Sequence, residues 1–292
     1  MEQTVPCALR GPDAADLHRP PCGPALETSP PRHSSAQNVL RSSDFGIKGF
    51  LETSFLDWPG RLAAVVFLGG CNFRCPFCHN AELVIEPHLI PSVPLDTVFE
   101  RLRALRGWVD GIVVSGGEPT LSPRLPELLG RIRSQGIDVK LDTNGSCPDV
   151  LARLVARRLV QAIDMDLKAP LEPTLYAALA GVPVRLELIR ASIDLIRLSG
   201  LPHRFRTTYV PGLLDHAAIG RLRDAVPAGS PFTLQGFNPQ RTLAPELRRV
   251  AAPVDEELRR LERAAQQEDL DVPRQVLSGR GEPVSLLSGG RV

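Results

Sequence analysis

No stretch of the 292 residues comes near the roughly 20 consecutive apolar positions that a bilayer-spanning helix needs. The net charge is only +1, so no electrostatic case arises for nucleic acid or an anionic membrane as partner. The first residues lack a charged stub followed by an apolar core, so no secretory leader is expected. These absences together point to a cytoplasmic, reducing location. There, clustered cysteines are more readily metal-binding or catalytic than disulfide-bonded. Hydrophobic residues make up 43% of the chain and charged residues 23%, an ordinary globular balance. The length suffices for one large domain or two small ones around a substantial core.

Residues 1–43 differ from the rest. They hold seven prolines and no sustained periodicity, and read as a disordered extension. Cys7 and Cys22 lie in it, at a long, proline-rich spacing that argues against a second metal site. Residues 44–292 form the second unit. Apolar, β-branched runs at Leu62–Leu68, Gly111–Ser115, Ile137–Leu141, Gln161–Leu167, Arg204–Val210 and Phe232–Gln235 read as buried strands. Amphipathic helical stretches lie between them, around 95–105, 125–132 and 188–196, with Gly200 as a stop beyond the third. Residues 245–268 read as a further, solvated helix. Alternating strands and helices imply a parallel sheet with crossovers. Six units are too few for a closed eight-stranded barrel. A partial (β/α)6 barrel is expected, with a doubly wound sheet as the alternative.

The unusual polar and glycine-rich stretches fall at the ends of these strands. They are GGCNFRCPFCHN (69–80), SGGEPT (115–120), DTNG (142–145), DMDLK (164–168), YVPG (209–212) and QGFNP (235–239). In parallel α/β folds the carboxyl ends of strands build the site, so six distant segments are expected on one rim.

Cys71, Cys75 and Cys78 fall within eight positions, and a fourth cysteine is missing. Structural zinc takes four protein ligands, and three thiolates would make a poor catalytic zinc site. A thioredoxin-like role for Cys75 and Cys78 leaves Cys71 unexplained. Inert buried thiols do not suit a loop rich in Asn, Arg, Pro and His. An iron–sulfur cluster accounts for the spacing better: a [4Fe–4S] cube held by three thiolates keeps one iron open to a ligand. Cys147, alone in its loop, reads as a buried or reactive spare thiol.

CNFRCPFC resembles the CxxxCxxC signature of the radical S-adenosylmethionine (radical SAM) superfamily, in a loop directly after the first expected strand. GGEP, DTNG and DLK follow in the family's order. From about Gly46 to Gly236 the chain resembles the activating enzymes of glycyl-radical enzymes, and most of all those of anaerobic ribonucleoside-triphosphate reductase. The element Asp57, Pro59 and Gly60 and the ending Cys78, His79 and Asn80 are shared with pyruvate formate-lyase activating enzymes. Nothing in the resemblance covers residues 1–43.

The resemblance implies a [4Fe–4S] cluster on Cys71, Cys75 and Cys78, with SAM chelating the open iron. It implies reductive cleavage of SAM to methionine and a 5′-deoxyadenosyl radical that abstracts a hydrogen atom. It further implies that the Gly116–Gly117–Glu118 segment receives the methionine ammonium group. Gly116 and Gly117, without side chains, would let backbone approach the ligand. Phe77 is expected near the adenine, or else in loop packing, with Gln235 and Phe237 near the adenosine. Asp142, Thr143 and Asp166 are similar to a monovalent-cation site beside SAM. Lys168 would contact SAM or an acidic group on the rim. Arg206 would take the methionine carboxylate bidentately. His79 reads as a local hydrogen-bonding residue. The implied partners are a large glycyl-radical enzyme as protein substrate and a flavodoxin- or ferredoxin-type reductant. The short tail after Gly236 offers little material for a lid. Two other readings stand beside this one: a small-molecule radical SAM enzyme of the deazaguanine-synthase type, and a non-catalytic Fe–S carrier.

Overall fold

A computed structural model describes residues 44–271. The expected N-terminal extension, with Cys7 and Cys22, lies outside the described residues. Seven strands form one sheet in chain order: β1 (Ile47–Ser54), β2 (Ala63–Leu68), β3 (Gly111–Gly116), β4 (Asp138–Thr143), β5 (Ala162–Asp166), β6 (His203–Tyr209) and β7 (Phe232–Gly236). Strands β2 to β7 run parallel. Each parallel step needs a crossover, and helices supply it. They are α1 (Ala81–Ile85), α2 (Leu95–Ala104), α3 (Leu125–Ser134), α4 (Pro148–Ala156), α5 (Pro173–Ala180), α6 (Leu186–Leu198) and α7 (His216–Ala225). The helix α8 (Asp255–Asp271) closes the series. This is the expected partial (β/α)6 barrel, and all six expected strands are found within two residues of their expected ends.

Strand β1 was not expected. It pairs antiparallel with β2 through two register irregularities. Its segment IKGFLETS mixes apolar and polar residues without clean alternation, because it is an edge strand partly open to solvent. The expected helix over 245–268 is also revised. Residues Pro245–Arg249 make a short 3-10 turn and α8 begins only at Asp255. Pro253 explains the break, since it lacks an N–H and restricts the residue before it. Nor is α8 simply solvated: Leu258 and Leu261 are buried, and Glu262 accepts the Leu234 N–H at 2.6 Å. That bond gives a partner to one backbone donor of the edge strand β7.

Period-two alternation sorts the strand side chains onto two faces. Ala64, Val66, Leu68, Ile112, Val114, Val139, Leu141, Ile163, Met165 and Phe205 join the helices in the main core. From α3, Leu125, Leu128, Leu129 and Ile132 are all wholly buried there, each worth about 1.5–3 kcal/mol by area removed from water. The opposite set, Ala63, Val65, Val113 and Ala162, surrounds Trp58 from the β1–β2 turn. Ala63, Gly111 and Ala162 begin their strands, so Trp58 plugs the barrel at its strand-start end. A methyl group on Gly111 would lie 2.7 Å from the indole ring; glycine there makes room for the plug. Arg61 stacks 4.7 Å above the same ring and pairs with Asp138 at 2.9 Å.

Candidate functional site

The strand-end rim is organised around the loop that follows β2. Cys71, Cys75 and Cys78 are free thiols in it, Cys75 buried and the other two partly so. The loop is tied down from several sides. On the β3 side, the Gly117 N–H donates to Leu68 O (2.9 Å) and the Glu118 N–H to Gly70 O (2.8 Å). Asn80 donates its side-chain amide to Gly116 O at 2.9 Å. On the β4 side, Asn144 donates to Asn72, and Asn72 to Ser146, each at 2.9 Å. From α5, Ala180 O accepts the Arg74 N–H at 2.7 Å. From beyond β7, the Asn238 N–H donates to His79 Nε2 (3.1 Å) and the Ala244 N–H to Pro76 O (2.8 Å). The chain after β7 therefore backs the cysteine loop directly, more than the short tail suggested.

The glycines act differently from expectation. Gly116 has φ +118°, which L side chains rarely adopt. A methyl on Gly117 would sit 2.0 Å from Gly70 O. The close approach that needs glycine is therefore between the β3 loop and the cysteine loop, ahead of any ligand. Gly181, at φ +71°, serves the same purpose under Arg74 O.

Glu118 is 2% exposed. Its carboxylate accepts the Thr120 N–H (3.0 Å) and hydroxyl (2.5 Å), the Thr143 hydroxyl (2.8 Å) and the Asn144 N–H (2.6 Å). It clamps the β3 loop to the β4 loop. Burial pushes its pKa up against these donors. Phe77 is 4% exposed and belongs to the main core, which is the packing alternative; Phe237 is buried likewise, while Gln235 is exposed. His79 is a hydrogen-bonding residue, but its partner is not local: it accepts from Asn238, 159 residues further on, and burial lowers its pKa. Cys147 is buried at the start of α4 and is disulfide-bonded, which corrects the reading of it as a spare thiol.

The inner face of β4, β5 and β6 carries a ladder of charges. Register sets Asp142 beside Asp164, Asp164 beside Arg204, and Asp166 beside Arg206. Arg206 is 6% exposed. It donates through Nε to Asp166 (2.8 Å) and reaches Asp142 (3.3 Å) and Asp164 (3.4 Å) through a terminal nitrogen. Lys168 lies 3.4 Å from Asp166. Burial alone would raise the Asp166 pKa, but Arg206 and Lys168 outweigh it and hold the carboxyl well below the usual carboxylate range. Burial alone would lower Lys168, and Asp166 outweighs that in turn, so its pKa is raised. The structure thus brings Asp142, Asp166, Lys168 and Arg206 together. It does not bring Thr143 to them, because its hydroxyl is turned to Glu118. Lys140, Asp164 and Arg204 were missed. Their signal was legible: Lys-x-Asp, Asp-x-Asp and Arg-x-Arg put charges on one face of three successive buried strands.

The donor set fits an iron–sulfur cluster better than a single ion. No group of three or more His, Cys, Asp or Glu among the described residues gathers as it would round one metal ion. In a cube each thiolate takes its own iron, so the thiols need not meet. Burial pushes the Cys71 thiol up to about 12 and Cys75 up to about 11, so both need a compensating cation to ionise at neutral pH. The Phe73 N–H already donates to Cys71 Sγ at 3.3 Å, as suits a sulfur that will carry charge.

Comparison with known proteins gives independent findings. Residues 65–225 match the Radical SAM superfamily. A Methanocaldococcus jannaschii protein, provisionally named a glycyl-radical enzyme activating enzyme, is 29% identical over 225 residues, which cover 75% of this chain and 91% of that protein. A Thermococcus kodakarensis protein, provisionally named a GTP 3′,8-cyclase, is 28% identical over 60% of this chain and 56% of its own length. The crystal structure of Streptococcus suis SuiB bound to precursor peptide SuiA superposes with a TM-score of 0.54 at 19% identity, over 70% of this chain and 45% of that one. It shares the fold.

Proposed function

This chain belongs to the radical SAM superfamily, and from that premise we propose that it is an activase that installs a glycyl radical on a partner protein, an anaerobic ribonucleoside-triphosphate reductase. Members of this family use a [4Fe–4S] cluster and SAM. When bound, these supply one-electron cleavage of the sulfonium bond and abstraction of a hydrogen atom.

The remaining work falls to the chain's own residues. Cys71, Cys75 and Cys78 would hold the cluster through their three thiolates. The backbone of Gly116 to Glu118 receives the methionine ammonium group, with the Glu118 carboxylate fixing that backbone. Arg206 and Lys168 present positive charge to the methionine carboxylate, while Asp142 and Asp166 orient them. Phe77 supports the loop from beneath. Residues 44–292 are the catalytic unit, with 1–43 an appendage. A flavodoxin- or ferredoxin-type protein is the reductant, and the cytoplasm is the compartment. Among the described residues, no helix is long and apolar enough to cross a membrane.

One observation carries the activase reading over other radical SAM chemistry. The match to the Methanocaldococcus protein runs through 91% of its length, whereas the match to the cyclase-named protein stops at 56%. A small-molecule enzyme is the second reading; the 28% identity to the cyclase-named protein supports it, and the shorter coverage ranks it below the first. The test is anaerobic incubation of the cluster-loaded protein with SAM, a reductant and the reductase. The expected result is a glycyl radical doublet by electron paramagnetic resonance, with a stoichiometric burst of 5′-deoxyadenosine. A radical-free reductase, with SAM cleavage accelerated by a small metabolite, would transfer the case to the second reading.

A further inference from the structure

The charge ladder inside the barrel contains a group that the proposal above leaves unused. Lys140 is 1% exposed. Its ammonium lies 2.5 Å from Asp142 Oδ1 and 2.7 Å from Asp164 Oδ2. Those aspartates are direct neighbours across β4 and β5. Like charges so placed repel each other, and a cation between them removes the repulsion.

The residues expected to hold a monovalent cation do not fit one. Asp142 Oδ1 is taken by Lys140, and Asp142 Oδ2 faces Arg206. Asp166 Oδ1 is taken by Arg206 and Oδ2 by Lys168. The Thr143 hydroxyl donates to Glu118. Asp164 Oδ2 accepts from Lys140, Arg204 and Arg206. Four cations, Lys140, Lys168, Arg204 and Arg206, thus face three carboxylates, Asp142, Asp164 and Asp166. Both carboxylate oxygens of Asp142 and both of Asp166 already face a cationic side chain, so these two groups have no charge left over to attract an alkali cation.

We infer that the Lys140 ammonium does from within the chain what a bound alkali cation would do at this position: it neutralises the Asp142–Asp164 pair and holds Asp142 toward Arg206. Lys140 is a positioning residue, acting on the ligand through Asp142 and Arg206. A tethered ammonium is present at every salt composition, so SAM binding does not depend on potassium or sodium.

The test is calorimetric titration of SAM into the cluster-loaded protein in potassium, sodium and choline chloride at equal ionic strength. No partner protein enters it, so its outcome is separate from that of the activase test. Affinity is expected to agree within about twofold across the three salts for the native chain and for Lys140→Arg. Lys140→Met is expected to bind at least about fivefold more weakly in choline, and to recover with potassium or sodium in a saturable way. A thermal melt of the same samples should follow suit, with only Lys140→Met stabilised by alkali cations over choline. A saturable gain of fivefold or more with potassium or sodium in the native chain would overturn the inference, even if Lys140→Met fails to fold. So would equal affinity of Lys140→Met and the native chain in all three salts.

Discussion

The substitution Gly117→Ala adds one methyl group at the seam between the β3 loop and the cysteine loop. Its carbon would lie 2.0 Å from the Gly70 carbonyl oxygen, 2.6 Å from the carbonyl carbon and 3.3 Å from the Cys71 nitrogen. These are backbone atoms and cannot rotate aside. Relief requires the cysteine loop to move by about an ångström or more, which breaks the Glu118 N–H bond to Gly70 O and strains the Gly117 N–H bond to Leu68 O. Overpacking of this kind costs about 1–3 kcal/mol. Each lost backbone hydrogen bond adds about 1 kcal/mol. The sum, about 2–4 kcal/mol, corresponds to a fall in Tm of roughly 4–16 °C for a domain of this size. The assay pairs a thermal melt with iron and sulfide content after anaerobic reconstitution. Both should fall, because the displaced segment carries Cys71. Gly130→Ala in α3 is the control: a methyl there meets nothing within 4 Å, and alanine in a helix should stabilise by roughly 0.5–1 kcal/mol. A Gly117→Ala protein that loads iron fully and melts within about 2 °C of the native chain would show that the seam is slack and that the glycine serves only ligand approach.

Single alanine replacements of Cys71, Cys75 or Cys78 should abolish the oxygen-sensitive cluster, read by iron content and visible absorption, while joint replacement of Cys7 and Cys22 should leave it intact. Loss of the cluster in that double variant would contradict the reading of the N-terminal segment. Arg206→Ala should weaken SAM binding by roughly tenfold or more, since a hydrogen bond to a charged group is worth about 1.5–3 kcal/mol. It should also lower the thermal midpoint, because three aspartates lose a partner and breaking a buried pair costs about 3–5 kcal/mol; unchanged affinity in calorimetry would remove Arg206 from the binding site. The depressed Asp166 carboxyl stabilises the fold fully above its unfolded pKa, near 4, and that contribution fades as pH falls toward the folded value. Asp166→Asn should therefore flatten the acid limb of stability between about pH 5 and 2 in urea melts; parallel limbs would refute this pairing.

The helical and parallel-strand framework was legible because buried parallel strands write themselves as short apolar runs. GIVVS and the neighbouring Leu125, Leu128, Leu129 and Ile132 show period and burial together. Strand β1 escaped because an edge strand need not be apolar on either side, and its two irregularities in register blur the alternation. At the site, motif order brought six distant segments to one rim, but it could not say what each side chain faces. Glu118 and Thr143 meet each other across the two loops, a pairing 25 residues apart that no local pattern announces. The motif suggests that Gly117 makes room for a ligand, whereas the atoms that a methyl there would strike belong to Gly70 and Cys71. Lys140 was passed over because a lone lysine in a strand normally points outward. Only the charged positions of β5 and β6, taken with it, identify the shared face.

The two bonds from beyond β7 to the cysteine loop have a consequence for how the protein is made. His79 and its partner Asn238 are 159 residues apart, and Pro76 waits still longer for Ala244. At roughly 5–20 residues per second of synthesis, about 8–32 s separate emergence of the thiols from arrival of the chain that backs them. Throughout that interval the ribosome presents all three cysteines on a loop without its far wall. Over that interval the loop is unfinished, and a chain stopped before Asn238 keeps all three cysteines while losing the two bonds that back their loop.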